Sequence, residues 1–418
     1  MAQEKGWIKT PVKAFLREVN LKTEIGTEEL LGLSKKKGVL RKKEFEQRSS
    51  EAVSYIGYKK VKSGQLISNK MQAWNGMFGI SAIDGITSPD YAIYDFSPNV
   101  ESRFIEYIVR TNLYAGEFLC RSRGMGTGFL RLNPSEFLST HVWLPDITIQ
   151  TEIADFLDRE TARIDQLIEK KKKLVSMLKE RFDSQINEVM SQFTPRKLKM
   201  IASARLSNVD KHIYKDEIAV NVVHYTDVYY NDVITKNTTL PKGSVTAFEK
   251  QKFSLKGGEV LVTKDSETPD DIAIPVYIDG VKENTVCGYH LAIIKPNTTL
   301  LDGRFIFWGL KTKRVRDYFS LAAQGVTRFG IPIGKISDCP LPYTSNLEIQ
   351  KKIAHELFVK NEMKLQLNRA IKRSIDRLKQ LRASLITEAV TGQLDIELWK
   401  KGGIADERLD NIEEAMRT

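Results

Sequence analysis

Two stretches of the chain carry apolar residues at intervals of three and four with charged residues between them. The first runs through Ile153, Leu157, Ile164, Leu167, Leu174, Leu178, Phe182, Ile186 and Val189, with Arg159, Glu160, Arg163 and Lys171 interspersed and neither Gly nor Pro interrupting. The second runs through Ile353, Leu357, Leu367, Ile371, Ile375, Leu378, Leu385 and Ala389, and Gly392 follows where a helix would stop. A single apolar stripe on a charged helix marks a helix covered on one side. The pattern predicts helices over 149–192 and 347–395, each of about 40 residues and hence roughly 60 Å long. Neither buries its stripe alone. The expected partner is the other helix, in an antiparallel coiled coil that sets Ile153, Leu157, Ile164, Leu167 and Leu178 against Ile353, Leu357, Leu367, Leu378 and Leu385. A coil between separate chains is the alternative.

The two stretches are copies of each other. They align without a gap, with identities at Gln150/Gln350, Ile153/Ile353, Ala154/Ala354, Leu157/Leu357, Leu167/Leu367, Leu178/Leu378, Lys179/Lys379, Ser184/Ser384, Ile186/Ile386 and Glu188/Glu388. Upstream the likeness continues loosely, Leu144-Pro145 with Leu341-Pro342 and Arg103-Phe104-Ile105 with Arg304-Phe305-Ile306. Lys62-Ser63-Gly64-Gln65-Leu66-Ile67 resembles Lys256-Gly257-Gly258-Glu259-Val260-Leu261, and both continue to a lysine, Lys70 or Lys264. The repeating unit is a variable globular domain followed by a long helix.

The domains read as mixed α and β, with strand-like runs at Tyr91–Tyr94 and His290–Ile294 and turn residues at Asn75-Gly76, Asp84-Gly85, Ser88-Pro89, Asp279-Gly280 and Pro296-Asn297. The expected fold class is α+β. Two mixed domains, 1–148 and 193–346, are separated by the two helices in an internal pseudo-twofold repeat, and a tail follows over 396–418.

Charge and cysteine content narrow the function. Lys and Arg number 64 against 53 Asp and Glu, a formal net charge of +11 that suits a polyanionic partner. Cys120, Cys287 and Cys339 are too few and too scattered for a disulfide framework or a zinc cage, which suggests a reducing cytoplasm. No apolar run approaches a membrane span. Gly124-Met125-Gly126-Thr127-Gly128 has the spacing of a nucleotide loop, but a tight structural or DNA-facing loop explains it better. His141, His212, His224, His290 and His355 show no ligand spacing, and no P-loop or methyltransferase tetrapeptide occurs. No catalytic residue and no metal site are expected.

At this point the residues carry a resemblance. Leu144-Pro145, Gln150 and the run from Ile153 through Asp165 resemble the central conserved region of the specificity subunits of type I restriction-modification systems. Leu381 through Gly392 resembles that family's C-terminal conserved region. Asn69-Lys70-Met71-Gln72-Ala73-Trp74-Asn75-Gly76, continuing to Gly85 through Tyr91, resembles one type of target-recognition domain. The resemblance implies a non-catalytic subunit that binds double-stranded DNA, two adenine-N6 methyltransferase subunits and two restriction-translocase subunits. It further implies that S-adenosylmethionine, ATP and magnesium are bound by those partners and none by this chain. Two diverged readers on one scaffold predict a bipartite, non-palindromic site with an unread gap. An orphan subunit serving a methyltransferase alone, and a structural coiled-coil adaptor, are the alternatives.

DNA contacts call for Lys and Arg on phosphates, and for Arg, Lys, Asn and Gln on base edges. In the first domain the candidates are Lys35, Lys36, Lys37, Arg41, Lys70, Trp74, Arg121, Arg123 and Arg131. In the second they are Tyr229, Asn231, Lys264, Ser266 and Arg328. Lys264 takes the place of Lys70, and Arg328 matches the neighbourhood of Arg131. Lysine runs such as Lys170–Lys173 more often cover a solvated helix face.

Overall fold

The computed structural model describes residues 6–45, 54–124 and 130–401. The chain divides into two units, each holding one globular domain and one half of each long helix. The first comprises residues 1–172 with 370–418, and the second residues 173–369. The long helices span Ile147–Ser191 and Leu347–Val390. Among the described residues no helix is long and apolar enough to cross a membrane.

The two domains share one sheet topology. In the first unit the order is Leu16–Val19, Tyr91–Phe96, Leu66–Asn69, Phe78–Ile80. In the second it is Ala202–Leu206, Leu291–Pro296, Val260–Thr263, Pro275–Ile278, with Val233–Ile234 added at the edge. Even the register repeats. Ile67 pairs with Ile93 as Leu261 pairs with Ile293, and Leu66 with Tyr94 as Val260 with Ile294. These apolar central strands are buried on both faces, so a one-residue slip would move each side chain to the wrong face. An entry strand closes each domain against its exit strand: Ile8–Pro11 on His141–Leu144, and Pro195–Lys197 on Pro340–Pro342.

The repeated glutamines have a structural role. Buried Gln150 accepts from the Glu101 amide at 3.1 Å and donates to the Pro145 carbonyl at 2.9 Å. Buried Gln350 accepts from the Asp302 amide at 2.8 Å and donates to the carbonyls of Leu300 and Thr344 at 3.0 and 2.7 Å. Glu101 and Asp302 are the N-caps of Ser102–Val109 and Gly303–Leu310. Each glutamine therefore ties the start of a long helix to the start of the domain's own packed helix.

The apolar stripes bury differently from the expected coiled coil. Ile153, Leu157 and Ile164 are buried, Leu167 and Leu178 are half-buried, and Ile168 takes the inward position beside Leu167. In the second unit Leu357 lies inside the core formed by Phe305, Phe307 and Trp308, with Ile353 packed on it, and Trp308 Nε1 donates to the Ala354 carbonyl at 3.2 Å. Phe182, Ile186 and Met190 join the same core. The helix ends in that unit thus pack on the globular domain, because its large aromatic side chains reach them. Leu378 and Leu385 are buried, whereas Leu367 is 41% exposed and the half-buried positions beside it are Lys364, Leu365 and Asn368. Direct helix-to-helix contacts include Arg382 on Asp165 at 3.1 Å in the first unit and the Lys364 ammonium 4.2 Å above the Phe182 ring in the second. Residues beyond Asp395 begin with a helical turn, Ile396–Lys401, whose Trp399 packs edge-on against Phe156. The remainder of the tail lies outside the described residues.

Candidate nucleic-acid interface

In the first domain the lysine run Lys35-Lys36-Lys37 forms the tip of the hairpin Leu31–Ser34/Gly38–Arg41. Lys35 donates to Asn75 Oδ1 at 2.7 Å, and its carbonyl accepts from Arg110 at 2.6 Å, while Lys36 and Lys37 are exposed. Arg41 is neutralised by Glu44 and Glu29 at 3.3 and 3.8 Å, and Lys43 by Glu29 at 3.1 Å. The dense basic stretch is therefore divided: its tip presents charge and its base is ion-paired. Trp74 is half-buried with its indole N–H on the Met71 carbonyl at 2.8 Å, and Arg121 is held by Glu117 and Ser139. These two support their own loop and helix.

Lys70, Arg123 and Arg131 are brought together by the backbone. The Lys70 amide donates to the Asp90 carbonyl at 3.1 Å, and the Lys70 carbonyl accepts from Leu132 at 2.9 Å. Arg123 and Arg131 exchange both backbone hydrogen bonds, at 3.0 and 2.9 Å. The Arg123 side chain is 79% exposed with Glu136 at 3.3 Å, and Arg131 reaches Asp90 at 3.2 Å. The glycine-rich loop 125–129 between them, with most of Gly124–Gly128, lies outside the described residues.

The second domain repeats this framework with different side chains. The Lys264 amide donates to the His290 carbonyl at 2.9 Å and its carbonyl accepts from Ile331 at 2.8 Å. Gln324 and Gly330 exchange backbone hydrogen bonds at 2.9 and 2.8 Å. Lys264 therefore does stand where Lys70 stands. The arginines need a correction of register: the backbone counterpart of Arg131 is Gly330, because the second loop is shorter. Their side chains nevertheless arrive at equivalent partners. Arg131 meets Asp90, and Arg328 lies within 3.3 Å of both ring nitrogens of His290.

His290 sits at φ +68°, a left-handed conformation that bends the chain just before the strand Leu291–Pro296. Its Nδ1 bonds the Asp265 carboxylate, and the Arg328 guanidinium lies 3.2 Å from Nε2. The short strand Asp265–Ser266 pairs with Phe329–Gly330, so Ser266 and Arg328 share one corner. Tyr229 joins them, donating to the Asp271 backbone and carboxylate at 2.8 and 3.1 Å. Burial and then the Asp271 carboxylate push its phenol up to about 12, so the ring remains a neutral hydrogen-bonding group. Asn231 is not part of this corner. Its amide donates to the Asp227 carbonyl at 2.8 Å and ends the helix Tyr225–Tyr230.

Beside His290 opens a cavity of about 230 Å³ lined by Lys211, His224, Tyr225, Thr226, Tyr289 and His290. Burial holds the His224 imidazole below its ordinary pKa, so a neutral ring faces this cavity at pH 7. Sequence reading missed this cluster because its pieces are far apart along the chain. The signal available was the repeat itself, since the alignment that superposes Gln150 on Gln350 also superposes Asp90 on His290.

No family model matches the chain, and no curated protein matches it. Among solved structures, a chain from the work on "complex assembly and conformational transition of the type I R-M system" is 13% identical. Its TM-score is 0.70, over 93% of this chain and 98% of that one. The HsdS subunit from Thermoanaerobacter tengcongensis is also 13% identical, with a TM-score of 0.53 over 93% and 97%. The fold described above is thus the fold of type I S subunits.

Proposed function

We propose that this chain is the DNA sequence-reading subunit of a type I restriction-modification complex and catalyses nothing itself. The observation that carries the reading is the doubled framework: the Lys70 and Lys264 amides are held by the carbonyls of Asp90 and His290, and the side chain of each of those two residues is met by an arginine from a glycine-containing loop. Each framework presents cationic and hydrogen-bonding groups on a rigid sheet, the arrangement that groove recognition needs. The two copies differ where they would touch bases, with Asp90 against His290 and Arg123 against Gln324, which favours two unlike half-sites.

In this reading double-stranded DNA is the ligand, and the repeated helices offer equivalent docking surfaces to two adenine-N6 methyltransferase subunits. Two nuclease-translocase subunits complete the restricting form. S-adenosylmethionine, ATP and magnesium belong to those partners, and the complex works in the cytoplasm. Methylation mapping in a host carrying the chain with its partners should give two short half-sites around an unread gap. Exchanging residues 193–346 should change one half-site and leave the other. A palindromic or uninterrupted site would sink the reading.

A further inference from the structure

The first domain buries a lysine that the fold does not require. Lys59 opens the strand Lys59–Val61, and its side chain is only 7% exposed. Among the described residues its one ion-pair partner is Glu18, whose Oε1 lies 4.0 Å away, beyond hydrogen-bond reach. Burial lowers its pKa, and Lys70 and Lys22 act in the same direction against Glu18 and Asp90. Lys22 faces Lys59 across an antiparallel bridge, and the chain at Lys70 is hydrogen-bonded to that at Asp90, whose carboxylate is engaged by Arg131. Two lysines and two carboxylates thus surround a mostly buried lysine side chain, and one of those carboxylates is already engaged by Arg131.

The sister domain shows what this position needs for folding alone. Lys60 pairs with Ile86 as Ser254 bridges Val286. The Lys62 amide donates to Gln65 Oε1 as the Lys256 amide donates to Glu259 Oε2. The same register sets Phe253 at the position of Lys59, fully buried in an apolar core. The second domain therefore buries a phenyl ring, at the end of the helix Ala247–Phe253, where the first carries an ammonium at the start of the strand Lys59–Val61. Burying a charge without a hydrogen-bonded partner is costly, so an apolar residue would suit the fold better.

We infer that Lys59, with Lys22 and Lys70, forms an anion site that takes a phosphodiester oxygen of bound DNA. The site rests on the DNA-reading function proposed above and adds to it an anchor present in the first domain and replaced by Phe253 in the second. A phosphate contact fixes the register of the protein on the duplex and carries no sequence information.

The test uses the full chain and two measurements. Binding to several unrelated duplexes is followed between about 50 and 200 mM salt for the native chain and Lys59→Met. The variant should lose about tenfold or more in affinity on every duplex and flatten the slope of log K against log salt by about 0.9. Its thermal midpoint should stay or rise. Separately, inorganic phosphate compared with chloride at equal ionic strength should raise the midpoint of the native chain but not of Lys59→Met. Equal slopes and affinities, or an equal phosphate shift, overturn the site. A native chain that binds no duplex defeats the DNA reading, and the phosphate arm then decides the anion site alone, with free phosphate as its ligand. If Lys59→Met does not fold, Lys70→Met, on a half-buried side chain, reads the same slope.

Discussion

Replacing Gln350 by alanine should cost more than replacing Gln150, although the two occupy identical places in the repeat. Gln350 makes three hydrogen bonds, to the Asp302 amide and the Leu300 and Thr344 carbonyls, whereas Gln150 makes two, to the Glu101 amide and the Pro145 carbonyl. At about 1 kcal/mol net per bond, the losses come to about 3 and about 2 kcal/mol, before any penalty for partners left unsatisfied. A chain of two units need not unfold in one step, so a local measurement is preferable to a global midpoint. Hydrogen exchange of the helices Gly303–Leu310 and Ser102–Val109, whose N-caps these glutamines hold, provides it. Exchange by local opening should accelerate on the order of a hundredfold in Gln350→Ala and roughly thirtyfold in Gln150→Ala. Each effect should be confined to its own helix. An acceleration in Gln150→Ala equal to or larger than that in Gln350→Ala, or none in either, would refute the assignment of the glutamines as clamps.

Burial alone would raise the Asp232 carboxyl, but Lys311 and Asn361 more than offset this and hold it below the ordinary carboxylate value. A depressed folded pKa contributes stability above the unfolded value, near 3.9, and loses it as pH falls through the folded one. Asp232→Asn should therefore be less stable than the native chain at pH 7, with the gap closing below about pH 4 in denaturant titrations; a gap independent of pH contradicts the ion-pair network. Of the three thiols, exposed Cys120 should react with a small disulfide reagent in the folded chain. Cys287 and Cys339, whose thiols burial pushes up, should react only after unfolding, and rapid labelling of all three would contradict the packing. Arg131→Ala and Arg328→Ala should each weaken DNA binding by about 1–3 kcal/mol if the arginine reads a base. Unchanged binding on competition with single-site variant duplexes would remove that arginine from the interface.

The long helices were legible in the sequence because an amphipathic helix advertises itself by a local period, and no Gly or Pro interrupts the stripe from Ile153 to Val189. The repeat was legible for a related reason: Gln150 and Gln350 are retained to make hydrogen bonds that only a glutamine in that place supplies. A period, however, shows that a face is covered and not by what. Ile353 and Leu357 lie against Phe307 and Trp308 of the second domain, and Leu367, on the same stripe, faces solvent.

The rest was decided by tertiary structure. Arg41 and Arg328 are equally basic in the sequence, yet Glu29 and Glu44 neutralise one while the other is carried to His290 by a strand pairing with Asp265–Ser266. Lys59 is one lysine among many until the fold buries it opposite Lys22, in the place its sister domain gives to Phe253. Pairings between residues far apart in the chain depend on sheet register and loop length, and neither leaves a periodic trace. The sequence alone therefore determined the doubled scaffold, whose signal is local. Tertiary structure decided which charges on it are free to meet a ligand, because that is set by the non-local neighbours each side chain acquires on folding.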